Sequence, residues 1–185
     1  METATVNTKV KWSIDTSHSE IGFIVKQVMI AKVKGLFNDF GATVFTDGKD
    51  LTTSAIDFWI DPESIYTGDE NRDERLKGAD FFDVRDHKEI TFIGKGLEKG
   101  NDFRHYTLNG ELNMKGIANP IKLDVEFVGE MQDTRGNHRI GFYINGKLDR
   151  KNWNLSWSKL LDSGGVLVSD EIFIHCKFQL IQVEQ

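Results

Sequence analysis

Four stretches of this chain alternate apolar and polar residues almost without error, and the apolar series includes glycines. Tyr106, Leu108, Gly110, Leu112 and Met114 stand against Thr107, Asn109, Glu111 and Asn113. Ile121, Leu123, Val125, Phe127 and Gly129 repeat the pattern, as do Ile140, Phe142, Ile144, Gly146 and Leu148, and then Ile172, Ile174, Cys176, Phe178 and Leu180. A strand sends successive side chains to opposite faces, so each stretch has one wet face and one dry face. Long antiparallel strands of this kind must pair dry face to dry face, or curl until the dry face becomes an interior. Glycine on the dry side implies an interior that is not packed solid. The pattern points to a hollow barrel and an apolar guest rather than to a catalytic cleft.

The 185 residues fit one domain, expected over 9–185 after a short N-terminal tail of 1–8. No stretch approaches the ~20 consecutive apolar residues of a membrane-spanning helix. A net charge of −6, with no Lys/Arg cluster interleaved with aromatics, argues against a nucleic-acid partner. The single cysteine, Cys176, falls in the apolar phase of its strand and reads as a small buried hydrophobe. Met1 to Thr5 have neither a basic n-region nor an apolar h-region, so the expected location is cytoplasmic; a periplasmic chain already trimmed of its signal would look the same.

The rest of the chain reads as about eight strands and one helix. Ile21, Phe23 and Val25 alternate with Gly22, Ile24 and Lys26. Val33, Gly35 and Phe37 share one phase, Phe40, Ala42 and Val44 the other, and a β-bulge at Asn38-Asp39 would restore a common face. Asp47-Gly48 signals a turn, and Pro120 is read in a turn between two strands. Thr67-Gly68-Asp69-Glu70 fits a capping box with Thr67 as the cap; the helix then runs to Gly78 and, being short and polar, is expected across a barrel opening. Phe81 and Phe82 follow and could tuck into that opening.

At this point the chain resembles the YceI-like family of lipocalin-like polyisoprenoid-binding proteins, from about Trp12 to Val183. The resemblance rests on Trp12-Ser13-Ile14-Asp15-Thr16-Ser17-His18-Ser19, Val33-Lys34-Gly35-Leu36-Phe37, Asp61-Pro62-Glu63-Ser64, Asn71-Arg72-Asp73-Glu74-Arg75-Leu76, Ala79-Asp80-Phe81-Phe82-Asp83, Gly110 to Gly116 and Leu148-Asp149-Arg150-Lys151-Asn152-Trp153, in that order. It implies an all-β, eight-stranded antiparallel barrel with a long isoprenoid or other lipid in its lumen, and binding or carriage rather than catalysis. Many members are exported to the periplasm. Gln27, Lys88 and Asn154 depart from residues common in the family.

Lumen candidates from strand phase are Phe23, Val25, Phe40, Ile56, Phe58, Phe92, Leu108, Leu112, Leu123, Val125, Phe127, Phe142, Ile172 and Ile174, with Gly94, Gly110 and Gly146 opening space and Phe81 at the opening. For any one such residue ordinary filled core is the commoner reading, and the inward glycines shift the balance toward a tunnel. Trp153 and Trp157 lie in a turn-rich segment and either gate the opening or plug a barrel end; Trp59 faces outward with Asp57 and Asp61. Arg72, Asp80 and Arg150 are head-group candidates, against a plain reading as solvated charges and ion pairs. His18, His87, His105, His138 and His175 show no metal-ligand spacing, and no nucleophile elbow or phosphate loop is present, so neither a metal, a cofactor nor a catalytic set is expected. The expected ligand is an isoprenoid or quinone-type lipid, with room for transient membrane contact and for a homodimer. The alternatives are an enzyme on the same scaffold acting on a small apolar substrate, and a ligand-free interaction protein using Trp59. Under the lumen reading, Gly110→Leu should block uptake and leave the fold intact.

Overall fold

The structure, a computed structural model, describes residues 8–27, 31–156 and 168–183. Among these the strands are β1 (Lys9–Ile14), β2 (Glu20–Gln27), β3 (Ala31–Phe37), β4 (Phe40–Asp47), β5 (Asp50–Ile60), β6 (Ile65–Tyr66), β7 (Ile90–Lys99), β8 (His105–Met114), β9 (Ile117–Gln132), β10 (His138–Asp149) and β11 (Val168–Gln182), and one helix, α1 (Glu70–Lys77), interrupts them. Every pairing is antiparallel. β1 bonds to β4 on one side and β11 on the other, so the sheet closes on itself.

The barrel has eight staves because three of them are broken. β1 and β2 follow one another along β11, β3 and β4 along β2 and β1, and β6 and β5 along β3 and β4. The breaks lie side by side and are stitched together. Asp15 donates its N–H to the Gln179 carbonyl, and Ser19 Oγ accepts from Gln179 N at 3.0 Å. Ser64 Oγ accepts from both Asn38 N and Asp39 N, at 3.1 and 2.9 Å. Interruptions of this kind let strands bend around a closed perimeter while their backbone groups stay paired. The phase slip at Asn38-Asp39 is therefore a two-residue gap between β3 and β4 rather than a one-residue bulge, and it leaves both Phe37 and Phe40 buried.

Two local expectations are corrected. The α1 cap is Asp69, whose carboxylate accepts from Arg72 N at 3.0 Å. Gly68, at φ +80°, turns the chain before the helix, and Thr67 instead gives both its N–H and its hydroxyl to the Asp73 carboxylate, at 2.9 and 2.5 Å. The β8–β9 turn is only Lys115-Gly116, both left-handed as a two-residue hairpin requires, and Pro120 lies inside β9 opposite Glu111. The described pairing of β9 with β10 begins at Leu123, so Pro120 occupies a stretch with one bonded edge, where a missing N–H is tolerated.

The end of the barrel away from α1 is shut. Trp12 is 2% exposed and donates Nε1–H to Thr46 Oγ1 at 2.9 Å, and that hydroxyl donates to the Gly48 carbonyl at 2.7 Å. Arg139 ties three elements there: Nη1 reaches Asp15 Oδ2 at 2.6 Å and Gln179 Oε1 at 2.9 Å, and Nε reaches Asp133 Oδ2 at 2.8 Å. Burial opposes the charge on Asp15, but hydrogen bonds from Ser17, Arg139 and His18 outweigh it and hold the carboxyl below its usual 3.8. Arg139, then Asn137, depress Asp133 in the same direction.

Carboxyls depressed on folding stabilise the protein above their unfolded value and lose that contribution as pH falls through the folded value. Asp15→Asn should cost roughly 1.5–3 kcal/mol at neutral pH, the scale of hydrogen bonds to a charged group. The difference from the parent should shrink as pH drops below 3.8. Thermal unfolding followed by circular dichroism from pH 7 to pH ~2 reads this; a gap that stays constant with pH would show that the Asp15 charge carries none of it.

Candidate functional site

The barrel encloses a cavity of about 230 Å³ whose wall is apolar except at Thr46, Ser54, Thr67, Arg72 and Arg150. It is eccentric. On the β7–β10 side, Phe92, Leu108, Leu112, Leu123, Val125, Ile140, Phe142 and Ile144 are buried against one another. On the β2, β5 and β11 side, Phe23, Val25, Ile56, Phe58, Ile172, Ile174 and Phe178 line the same cavity but are only half-buried. An inward side chain in a closed barrel keeps accessible surface only where it faces a void. The register places Trp12, Thr46, Leu51 and Ser54 at the closed floor, and Arg72, Leu76, Phe81, Phe82, Arg150 and Leu155 at the other end, beneath α1.

Three of these mouth residues come from one piece of local chemistry. Leu76 is the buried apolar residue of α1 and faces the cavity. Phe81 and Phe82 follow Gly78, whose N–H closes the helix on Arg75 O at 3.1 Å; their rings meet edge to face at 4.8 Å, and Phe82 packs on Phe37 at 5.7 Å. Arg72 lies against Thr67, with Nε 2.7 Å from Oγ1 and Nη2 2.8 Å from the carbonyl oxygen. Arg150 is 6% exposed; it donates to Leu155 O at 2.5 Å and Ser169 O at 3.2 Å and pairs with Asp170 at 2.9 Å. The Lys151 ammonium, 2.6 Å away, and then Arg150 hold the Asp170 carboxyl below its ordinary range.

Of the residues proposed from strand phase, Phe23, Val25, Ile56, Phe58, Phe81, Phe92, Leu108, Leu112, Leu123, Val125, Phe142, Ile172 and Ile174 line the cavity, together with Arg72 and Arg150. Phe40 does not: it is buried behind Phe58, ring centroids 6.4 Å apart. Phe127 does not either: it lies one residue past the β8 ladder, which starts at His105 opposite Glu126, and packs on its register partner Phe142, ring centroids 5.8 Å apart. Trp153 is 1% exposed and donates Nε1–H to Leu112 O at 3.0 Å, so it plugs the wall as core. Asp80 is exposed and off the cavity wall. Trp157 lies outside the described residues, as does the Gln27 side chain. Asn154 takes the left-handed conformation, φ 56°, at the end of the turn that carries Arg150 and Trp153.

Gly110 plays a different part from the one its inward phase suggests. It leaves no empty space: a Cβ there would stand 2.3 Å from Phe92 Cζ and 2.6 Å from the Ile93 carbonyl oxygen. Gly94 lies under the same ring, and Gly35 under that of Phe23. These glycines seat aromatic rings against the wall. Sequence phase missed Thr46 and Ser54, polar residues in inward positions, and left out Phe178, which shares the phase of Ile172 and Ile174.

His18 is exposed and bonded to Asp15, His105 to Asp102, His138 to Glu130 and His175 to Asn145. Among the described residues no group of three His, Cys, Asp or Glu side chains could hold a metal ion. Cys176 lines the cavity, and burial pushes its thiol up to about 12.

Two outcomes follow. Gly110→Leu should destabilise the barrel by displacing Phe92, at a cost of roughly 1–3 kcal/mol or more, visible as a lower unfolding midpoint in urea; a variant as stable as the parent would show that the ring can move aside freely. Cys176 should resist maleimide at pH 8 in the folded protein and react in urea, and rapid labelling of the folded protein would show that the wall opens to solvent.

The YceI-like domain model matches residues 12–180. A UPF0312 protein of Staphylococcus aureus (strain MSSA476) is 33% identical over 162 residues, 87% of this chain and 91% of the relative. Among solved structures, the Campylobacter jejuni YceI protein superposes with a TM-score of 0.73 at 28% identity, covering 100% of both chains. A polyisoprenoid binding domain from Saccharophagus degradans, at 16% identity and a TM-score of 0.73 over 93% of this chain and 98% of its own, shares the fold.

Proposed function

We propose that this chain, which belongs to the YceI-like family, binds the hydrocarbon chain of an isoprenoid or related lipid in the lumen of its barrel. The observation that carries the reading is the half-buried inner face: Phe23, Val25, Ile56, Ile172 and Ile174 point inward and still border open, apolar space. Leaving such surface in contact with water is unfavourable, and filling it with hydrocarbon gains roughly 0.8 kcal/mol per buried methylene. A long chain so held needs few polar contacts. That a like-folded domain is described as polyisoprenoid binding agrees with this class of ligand.

The head group would sit beneath α1. Arg150 spends its donors on Leu155, Ser169 and Asp170, and so shapes the rim. Arg72 is the better contact: two of its nitrogens hold Thr67, and Nη1 has no protein acceptor among the described residues. Binding rather than catalysis is the reading the wall supports, since its polar side chains are hydrogen-bonded to neighbouring protein groups. Carriage between membranes by transient contact, or storage, would follow from the same lumen.

Intact mass under native and denaturing conditions, followed by organic extraction and lipid mass spectrometry, tests the reading. A prenyl lipid near one per chain supports it. No excess mass, with no uptake of added quinone or prenol, would overturn it in favour of a ligand-free interaction protein. Ile174→Trp should lower uptake at least tenfold while keeping the parent's circular-dichroism spectrum, because an indole in the open half of the lumen takes the space of several methylenes. Arg72→Gln should weaken carboxylate- or phosphate-headed lipids more than neutral prenols; equal losses for both would remove Arg72 from head-group recognition.

A further inference from the structure

Phe58 and Phe178 belong to staves that are not neighbours. β5 and β11 are separated around the barrel by the β3/β4 stave and the β1/β2 stave, yet the two rings stand 5.7 Å apart, tilted by 53°. They can meet only across the lumen. Each is backed by a register partner on the packed side, Phe58 by Phe92 and Phe178 by Phe142, and the residue opposite Phe58 on β4 is the small Ala42. Both rings remain half-buried although they touch, so open space borders them. Below the pair lie Trp12, Val44, Thr46 and Leu51 at the floor; above it lie Phe23, Val25, Ile172 and Ile174 toward the mouth.

We infer that the Phe58–Phe178 pair is a bar across the open half of the lumen that sets the length of hydrocarbon chain the protein accepts. This rests on the lumen-binding reading above. A chain entering beneath α1 fills the mouth-side space first and reaches the two rings with its tail. A tail that ends there leaves the pair intact. A longer tail must part the rings and take up new rotamers for both before it gains the floor. The bar therefore separates two regimes of chain length, and its two members act as one specificity element.

The test is direct binding of a graded prenol series, farnesol, geranylgeraniol and solanesol, to the delipidated protein by native mass spectrometry. In the parent, affinity should rise by roughly tenfold or more for each added isoprene unit that still finds apolar wall, then level off. Phe58→Ala and Phe178→Ala should each move the levelling to chains longer by one or more units, and by the same amount, since either opens the bar. Phe178→Leu, which keeps more of the fill, provides the same reading should the alanine variant fold poorly. A length profile that is identical in parent and variants overturns the bar while leaving lumen binding in place. Failure of the parent to bind any prenol overturns both.

Discussion

Closure of the backbone hydrogen-bond ladder is the constraint on which everything else depends. β1 bonds to β4 and β11 at once, so the sheet has no first or last strand. Eight staves fix the perimeter, and the perimeter fixes an inside that the inward side chains have to share. The three broken staves are the local consequence. Asp15, Asp61 and Ser64 supply side-chain acceptors where the ladder gives way, so the chain bends with its backbone N–H groups still paired.

Given that perimeter, the distribution of bulk decides where space is left. Phe92 lies over Gly94 and Gly110, and Phe23 over Gly35, which presses rings against the wall. The β7–β10 side interdigitates into a conventional core. The β2, β5 and β11 side does not, and the half-burial of Ile56, Ile172 and Ile174 records it. A barrel of this size packed evenly would have been solid; concentrating the packing on one side leaves an apolar cavity on the other.

The two ends then differ in kind. The floor is held by Trp12, Thr46 and the Arg139 cluster, whose carboxylates are kept charged by hydrogen bonds from Ser17, Arg139 and Asn137. The mouth is covered by a short helix with only Leu76 and Asp73 buried; the helix brings Arg72, and the turn after β10 brings Arg150, to the edge of the apolar wall. A closed floor with a polar-rimmed, thinly covered mouth would orient an amphipathic guest tail inward, which is the physical basis of the proposed function.

The strand alternation by itself determined the fold class and most of the wall, because strand phase is a local property with period two. The family resemblance was legible in short strings spread from Trp12 onward, and the match over residues 12–180 agrees with it. Only the tertiary structure decided which inward residues face space. Phe40 and Phe127 have the right phase, yet one sits behind Phe58 and the other lies past the end of the β8 ladder against Phe142, and neither fact has a local signature. Gly110 looked like a vacancy and is the seat of a ring from the neighbouring strand. Phe58 and Phe178 are far apart in sequence and meet only because closure brings β5 and β11 to face each other. Alternation states which way a side chain points; how far it reaches, and what it meets there, depends on the curvature that all the staves set together.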